Sequence, residues 1–216
     1  MTSVEIVEFD RQVGVLVGAG IPDRAGLSAE QFASVVAPLR DAVVGLGAAS
    51  LSADGQVSWV LVVSSSLVPA EQVVPLVHLP GGTRPGVVDR NHGDDPLSAF
   101  APLPVLEVPD APAYLLLDVD RGDEFRSVRP RDAVPEILGR QRTPLTIHEG
   151  LSFALQFPGA LAANHCFMLA GSRRADKRVP ALWISDRTPK LGWCWEGNHH
   201  TWLGIASAGG RRAGNS

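Results

Sequence analysis

Apolar side chains recur at three- and four-residue spacing from the start of the chain. Ile6, Phe9, Val13 and Leu16 form one stripe, which predicts an amphipathic helix over residues 4–17. Gly18, Gly20 and Pro22 end it. Ser28 and Gln31 have capping-box spacing, and Phe32, Val35, Val36, Leu39 and Val43 carry the next stripe. Pro38 disfavours helical geometry at Ala37, so this second helix is expected to kink or split there. The period then changes. Trp59 to Val63 is a short apolar, β-branched run, expected to be a buried strand. Pro69 suits a first helical position and opens a helix expected to reach Val77, with Pro75 inside it. Residues 80–112 keep no period. Eight prolines and glycines fall between Pro80 and Pro102, interrupted by Val87, Val88, Leu97 and Phe100. An irregular excursion of that length is expected to be a lid or to contain short strands of its own.

Tyr114 to Val119 predicts a second buried strand, with a turn at Arg121–Gly122 and a returning strand at Glu124–Val128. A helix is expected from Pro130 to about Gly139. Another opens at the Thr146/Glu149 capping box, shows Ile147, Leu151 and Leu155 on one face, and stops at Pro158. Three strand-like runs follow, Cys166–Ala170, Val179–Ser185 and Leu191–Trp195, separated by polar turns. The pattern describes a single α+β domain over residues 1–216. Its N-terminal helices are packed on a mixed sheet, and its C-terminal part is an antiparallel β-meander.

Composition narrows the class. Apolar residues are 45% of 216, enough for a proper core without disulfides or metals. No run approaches ~20 apolar residues, and Met1–Asp10 is acidic without Lys or Arg, unlike an export signal. A cytoplasmic protein away from membranes is expected, with Cys166 and Cys194 as thiols. The net charge of −4 argues against nucleic acid. Residues 1–120 carry 15 of the 23 acidic groups and 5 of the 19 basic ones. Either the basic C-terminal half meets an anionic partner or the halves attract each other across one core; the scattering of the basic residues favours the second.

Most familiar chemistries are absent. There is no GxxxxGK[ST], no GxGxxG after a strand, no GxSxG, no HExxH and no CxxC. No cofactor and no metal are therefore expected. Ser64, Ser65 and Ser66 follow the first strand, where a nucleophile can sit, but a polar strand end is the simpler reading. Of the histidines His78, His92, His148, His165, His199 and His200, none has metal-ligand spacing. A site from Cys166, Cys194 and His199 or His200 would need the first and third meander strands to be neighbours. Asp118 and Asp120 share a strand face by alternation and lead into a polar turn.

What remains is aromatic. Trp183, Trp193, Trp195 and Trp202 fall within twenty residues, with Asn198, His199 and His200 beside them and Arg173 in the preceding turn. Trp193 and Trp195 alternate onto one strand face, and Trp183 is expected to pair across from them. Three explanations stay open. Arg173, Trp193, Trp195, Asn198, His200 and Trp202 form a site for a small anionic or aromatic ligand. The same face docks a protein partner. Or the tryptophans fill a thin β-core. Cys194 with His200 is the candidate catalytic pair if the protein is a thiol-dependent hydrolase or transferase.

The C-terminal wording is specific. Gly171–Ser172–Arg173, Arg178 to Ser185, Pro189 to Trp195, Gly197–Asn198 and His200 to Gly204 resemble a bacterial domain family of unknown function. So do Phe9–Asp10–Arg11–Gln12, Tyr114–Leu115–Leu116 with Asp118–Val119–Asp120, and Thr143 to Thr146 with Glu149–Gly150. The resemblance runs along nearly the whole chain and implies a single domain. It brings no activity, and it favours His200 over His199.

Overall fold

The structure is a computed structural model, described here for residues 3–91 and 93–214. His92 lies outside the described residues. In chain order the elements begin with α1 (Val4–Gly18), α2 (Ile21–Ala25), α3 (Ala29–Val36), β1 (Gln56–Val63) and α4 (Ala70–Val73). The excursion contributes β2 (Val87–Val88) and β3 (Ala101–Pro102). β4 (Ala113–Asp120), α5 (Pro130–Gly139), β5 (Thr143–Pro144) and α6 (Ile147–Gln156) follow. The C-terminal part holds β6 (Cys166–Met168), β7 (Ser172–Arg173), β8 (Arg178–Ser185), β9 (Thr188–Trp195), β10 (Leu203–Ile205), β11 (Ser207–Ala208) and β12 (Gly210–Arg212).

The α+β reading holds. One sheet runs β1-β4-β11-β5, with β12 also on β4, and its pairs are antiparallel. The other runs β10-β6-β8-β9-β2. Its centre is the antiparallel meander β6-β8-β9, and its mixed character comes from β10 and β2, which join in parallel at the two ends. β3 and β7 make a small third pair. Buried apolar residues from Ile6 to Ala208 belong to one cluster. No helix among the described residues is long and apolar enough to cross a membrane.

Local rules explain most boundaries. Ser28 caps α3 through the Gln31 box, and α3 gives way at Ala37 to a 3₁₀ turn containing Pro38, the split that the proline dictates. The helix from Pro69 is shorter than expected. It becomes a 3₁₀ turn at Val74–Leu76, because Pro75 cannot sustain the α ladder. The returning strand expected at Glu124–Val128 is a correction: Asp123–Phe125 is a 3₁₀ turn. Gly122 at φ 75° throws the chain off the β4 direction, and Arg121 holds Asp123 by a two-pronged ion pair.

β1 is an edge strand whose outer backbone groups need partners. Two helices supply them. Gln12 of α1, fully buried, accepts the Leu61 N–H at 2.7 Å, and Ser152 of α6 accepts the Val63 N–H at 3.3 Å. The Gln156 side chain donates to the Gln12 carbonyl at 3.0 Å. These bonds seat α1 and α6 on the first sheet. Two ion pairs, Arg142–Asp118 and Arg174–Asp95, join the basic C-terminal half to the acidic N-terminal half.

Candidate functional site

The tryptophans do not share one face. In the β8–β9 hairpin Trp183 stands opposite Lys190, Ala181 opposite Gly192 and Val179 opposite Cys194. Side chains alternate along a strand, so Trp183, Ala181, Gly192 and Cys194 lie on one face, and Trp193 and Trp195 on the other. The expected pairing of Trp183 with Trp193 and Trp195 is thus corrected. A two-residue turn with Asp186 and Arg187 both at positive φ fixes that register.

On the Trp183 face lies a cavity of about 230 Å³, lined by Asp89, Asn91, Trp183, Cys194, His200 and Trp202, with Ala181, Leu203 and part of Trp193. Trp183 and Trp202 meet edge to face, centroids 6.5 Å apart at 72°. The His200 ring stands 5.6 Å from Trp202 at 63°. Gly192 lets two of the walls close up over β9: a Cβ there would lie 2.4 Å from the Trp183 ring and 3.2 Å from the Asp89 side chain. The excursion delivers the acidic wall. β2 pairs with β9, the Asp89 N–H donates to the Leu191 carbonyl at 2.7 Å, and the Asp89 carboxylate accepts the Asn91 N–H at 2.9 Å. The His200 carbonyl accepts the Ser127 N–H at 2.9 Å, which anchors the other wall. Burial and the neighbouring His199 hold the His200 imidazole below the ordinary histidine range. Its Nε2 is buried without a hydrogen-bond partner among the described residues.

Of the six residues expected to bind a ligand, His200, Trp202 and, from the opposite face of β9, Trp193 line this cavity. The Trp193 ring packs 5.3 Å from Phe100, and its buried Nε1 also lacks a partner among the described residues. Trp195 is 48% exposed on the opposite face, with Arg131 6.0 Å over its ring. Arg173 is paired with Glu196 and Asn198 is exposed in the following turn; neither lines the cavity. The reason is alternation and chain reversal. Trp195 lies on the face of β9 opposite Trp183 and Cys194, and Glu196 and Asn198 lie in the turn after the strand. Asp89, Asn91 and Gly192 were missed. A lone glycine within a strand was the available signal, since it marks close approach of a neighbouring group.

Cys194 borders the cavity beside His200, but burial pushes its thiol up to about 11. It stays protonated near neutral pH, the opposite of an activated nucleophile. Iodoacetamide should label Cys194 in the folded protein more slowly than in urea-unfolded protein; faster labelling would restore the thiol-chemistry reading. Cys166 is also a free thiol pushed up by burial. β8 lies between β6 and β9, so the strands carrying the two cysteines are not neighbours as a shared metal site requires. No cluster of three or more metal-ligating side chains occurs among the described residues.

A second cavity, about 470 Å³, lies where β1 and β4 meet the start of α6 under the excursion. Ser64, Ser65, Ser66, Glu71, Tyr114, His148 and Ser172 line it. The serine triplet after a buried strand was the legible signal. Several of its polar groups serve the scaffold, however. Ser64 and Ser66 bond each other at 2.8 Å, and Glu71 accepts the Leu97 N–H at 2.6 Å. His148 Nε2 sits 3.1 Å from the Val68 carbonyl, Ser172 accepts the Ile147 N–H at 3.0 Å, and Tyr114 donates to Glu149 at 3.0 Å. Burial holds His148 below the ordinary histidine range.

Fold and recess together define an α+β domain with an aromatic cavity closed by a strand of its own excursion. The chain belongs to a family of unknown function (DUF5701), whose model matches residues 15–214. No curated protein and no solved structure matches it.

Proposed function

We propose that the protein binds a small organic molecule in the cavity walled by Trp183, Trp202 and His200. The observation that carries this is the buried His200 Nε2, without a partner among the described residues, on the wall of an aromatic recess. Buried polar atoms almost always find partners, and aromatic walls with a few unmatched polar groups are what ligand sites offer. In the larger cavity His148, Glu71, Ser172 and Tyr114 already bond the scaffold. A protein-docking surface on the opposite face would rest on Trp195, the one exposed Trp, Tyr or Phe among the described residues. The acidic lining gives nucleic-acid phosphates nothing to pair with. On this reading the protein works in the cytoplasm, where Cys166 and Cys194 stay reduced.

The test is a thermal-shift screen of a metabolite library on the wild type, His200→Ala and Trp202→Ala. A ligand present at 100 times its Kd stabilises by about 2.7 kcal/mol, a shift of several degrees. Wild-type hits should lose most of that shift in both variants. A library with no hit, or hits retained undiminished in both variants, would overturn the proposal.

A further inference from the structure

We infer that the ligand of this cavity is an organic ammonium ion. The inference rests on the cavity being a binding site, as proposed above, and adds the charge of what binds.

The charges on the walls decide it. Among the described residues lining the cavity one is a carboxylate, Asp89, and none is Lys or Arg. Four nearby cations are held by other groups. Arg90, between Asp89 and Asn91, donates to the Asp95 carbonyl at 2.8 Å. Arg173 pairs with Glu196, Arg174 with Asp95 and Asp176, and the Lys190 ammonium lies 3.8 Å from Asp186. An anionic ligand, the expectation drawn from Arg173, would therefore meet Asp89 and no positive group.

The aromatic geometry points the same way. The faces of Trp indoles are electron-rich and attract cations, most strongly where water is excluded. Trp202 meets Trp183 at 72° and His200 at 63°, edge to face instead of stacked, and all three rings line the cavity. Gly192 lets the Trp183 ring and the Asp89 side chain approach the same point above the strand. A carboxylate beside inclined indoles stabilises a positive charge whose substituents are apolar, since it combines charge pairing with dispersion contact. The volume suits one such head group: about 150 Å³ suffices for a benzene-sized guest, against about 230 Å³ here. An N–H on the ammonium would also find an acceptor in a neutral His200 Nε2.

Three probes of one shape and different charge test this. They are choline, its neutral isostere 3,3-dimethylbutan-1-ol, and the anion 3,3-dimethylbutanoate. Each is titrated at constant ionic strength and followed by tryptophan fluorescence and calorimetry, on the wild type and on Asp89→Asn. Choline should bind at least roughly tenfold more tightly than the alcohol, the anion should bind worst, and Asp89→Asn should remove roughly tenfold of the choline affinity while leaving the alcohol unchanged. An unchanged thermal midpoint shows that Asp89→Asn is folded. If the alcohol binds as well as choline, the ammonium inference falls and the cavity stands as a ligand site. If the anion binds best, the inference falls and Arg173 returns to consideration. If no probe binds, the inference falls, and the library screen judges the cavity separately.

Discussion

Replacing Glu149 by Gln should destabilise the protein by about 3–5 kcal/mol, the usual result of removing one partner from a buried ion pair. Glu149 is fully buried in the first turn of α6. Its carboxylate accepts the Thr146 backbone N–H at 2.7 Å, the Tyr114 hydroxyl at 3.0 Å, and the Arg211 guanidinium through Nη2 at 3.0 Å and also through Nε. Arg211 donates as well to the Thr143 hydroxyl at 2.7 Å. The cluster ties α6, β4, β5 and β12 at one point. Its electrostatics are visible in Tyr114, whose hydroxyl is pushed far above the phenol range by burial and then by the adjacent carboxylate. Glutamine keeps the shape, yet it turns an amide toward the guanidinium and leaves a buried cation unpaired. At roughly 2–4 °C per kcal/mol for a chain of this size, the midpoint measured by circular dichroism should fall by roughly 10 °C. The double variant Glu149→Gln/Arg211→Met should recover part of that loss, since no lone charge is then buried. A single variant as stable as the wild type would contradict the buried pair.

Gly122→Ala should cost on the order of 4 kcal/mol, beyond the range of ordinary point substitutions. Gly122 has φ 75°, and a Cβ there would lie 1.9 Å from the Ile205 carbonyl oxygen. That oxygen is backbone and cannot swing aside. The Ile205 N–H donates to the Gly122 carbonyl at 3.1 Å, so the contact is held from both sides. Gly26→Ala is the control. It has φ 69° with nothing within 4 Å of its Cβ position, so it pays only the left-handed term of about 1–2 kcal/mol. Chemical denaturation should separate the two variants by at least roughly 2 kcal/mol. Equal losses would mean that backbone conformation alone is at work. Because β10 starts at Leu203, directly after Trp202, a folded Gly122→Ala protein should also show altered tryptophan fluorescence.

The elements themselves were largely written in local sequence. The α1 stripe, the Ser28–Gln31 and Thr146–Glu149 boxes, the proline split at Ala37 and the meander runs all depend on residues within one or two turns of each other, where period and capping chemistry act directly. The excursion was recognisable as too long to be structureless. What failed at this level was the returning strand expected at Glu124–Val128, which lost to the Arg121–Asp123 ion pair and the reversal at Gly122.

The aromatic segment divides along the same line. Sequence alone marked Trp183 to Trp202 as dense in tryptophan and histidine, and placed His200 and Trp202 among its ligand-binding candidates. Tertiary structure decided which of these residues meet. The Asp186–Arg187 turn sets the hairpin register, and a shift of one residue exchanges the two faces, so Trp183 separates from Trp193 and Trp195. The parallel pairing of β2 with β9 joins positions a hundred residues apart, and no local pattern encodes it. That pairing sets Asp89 beside Gly192 and gives the recess an acidic wall where the sequence suggested a basic one.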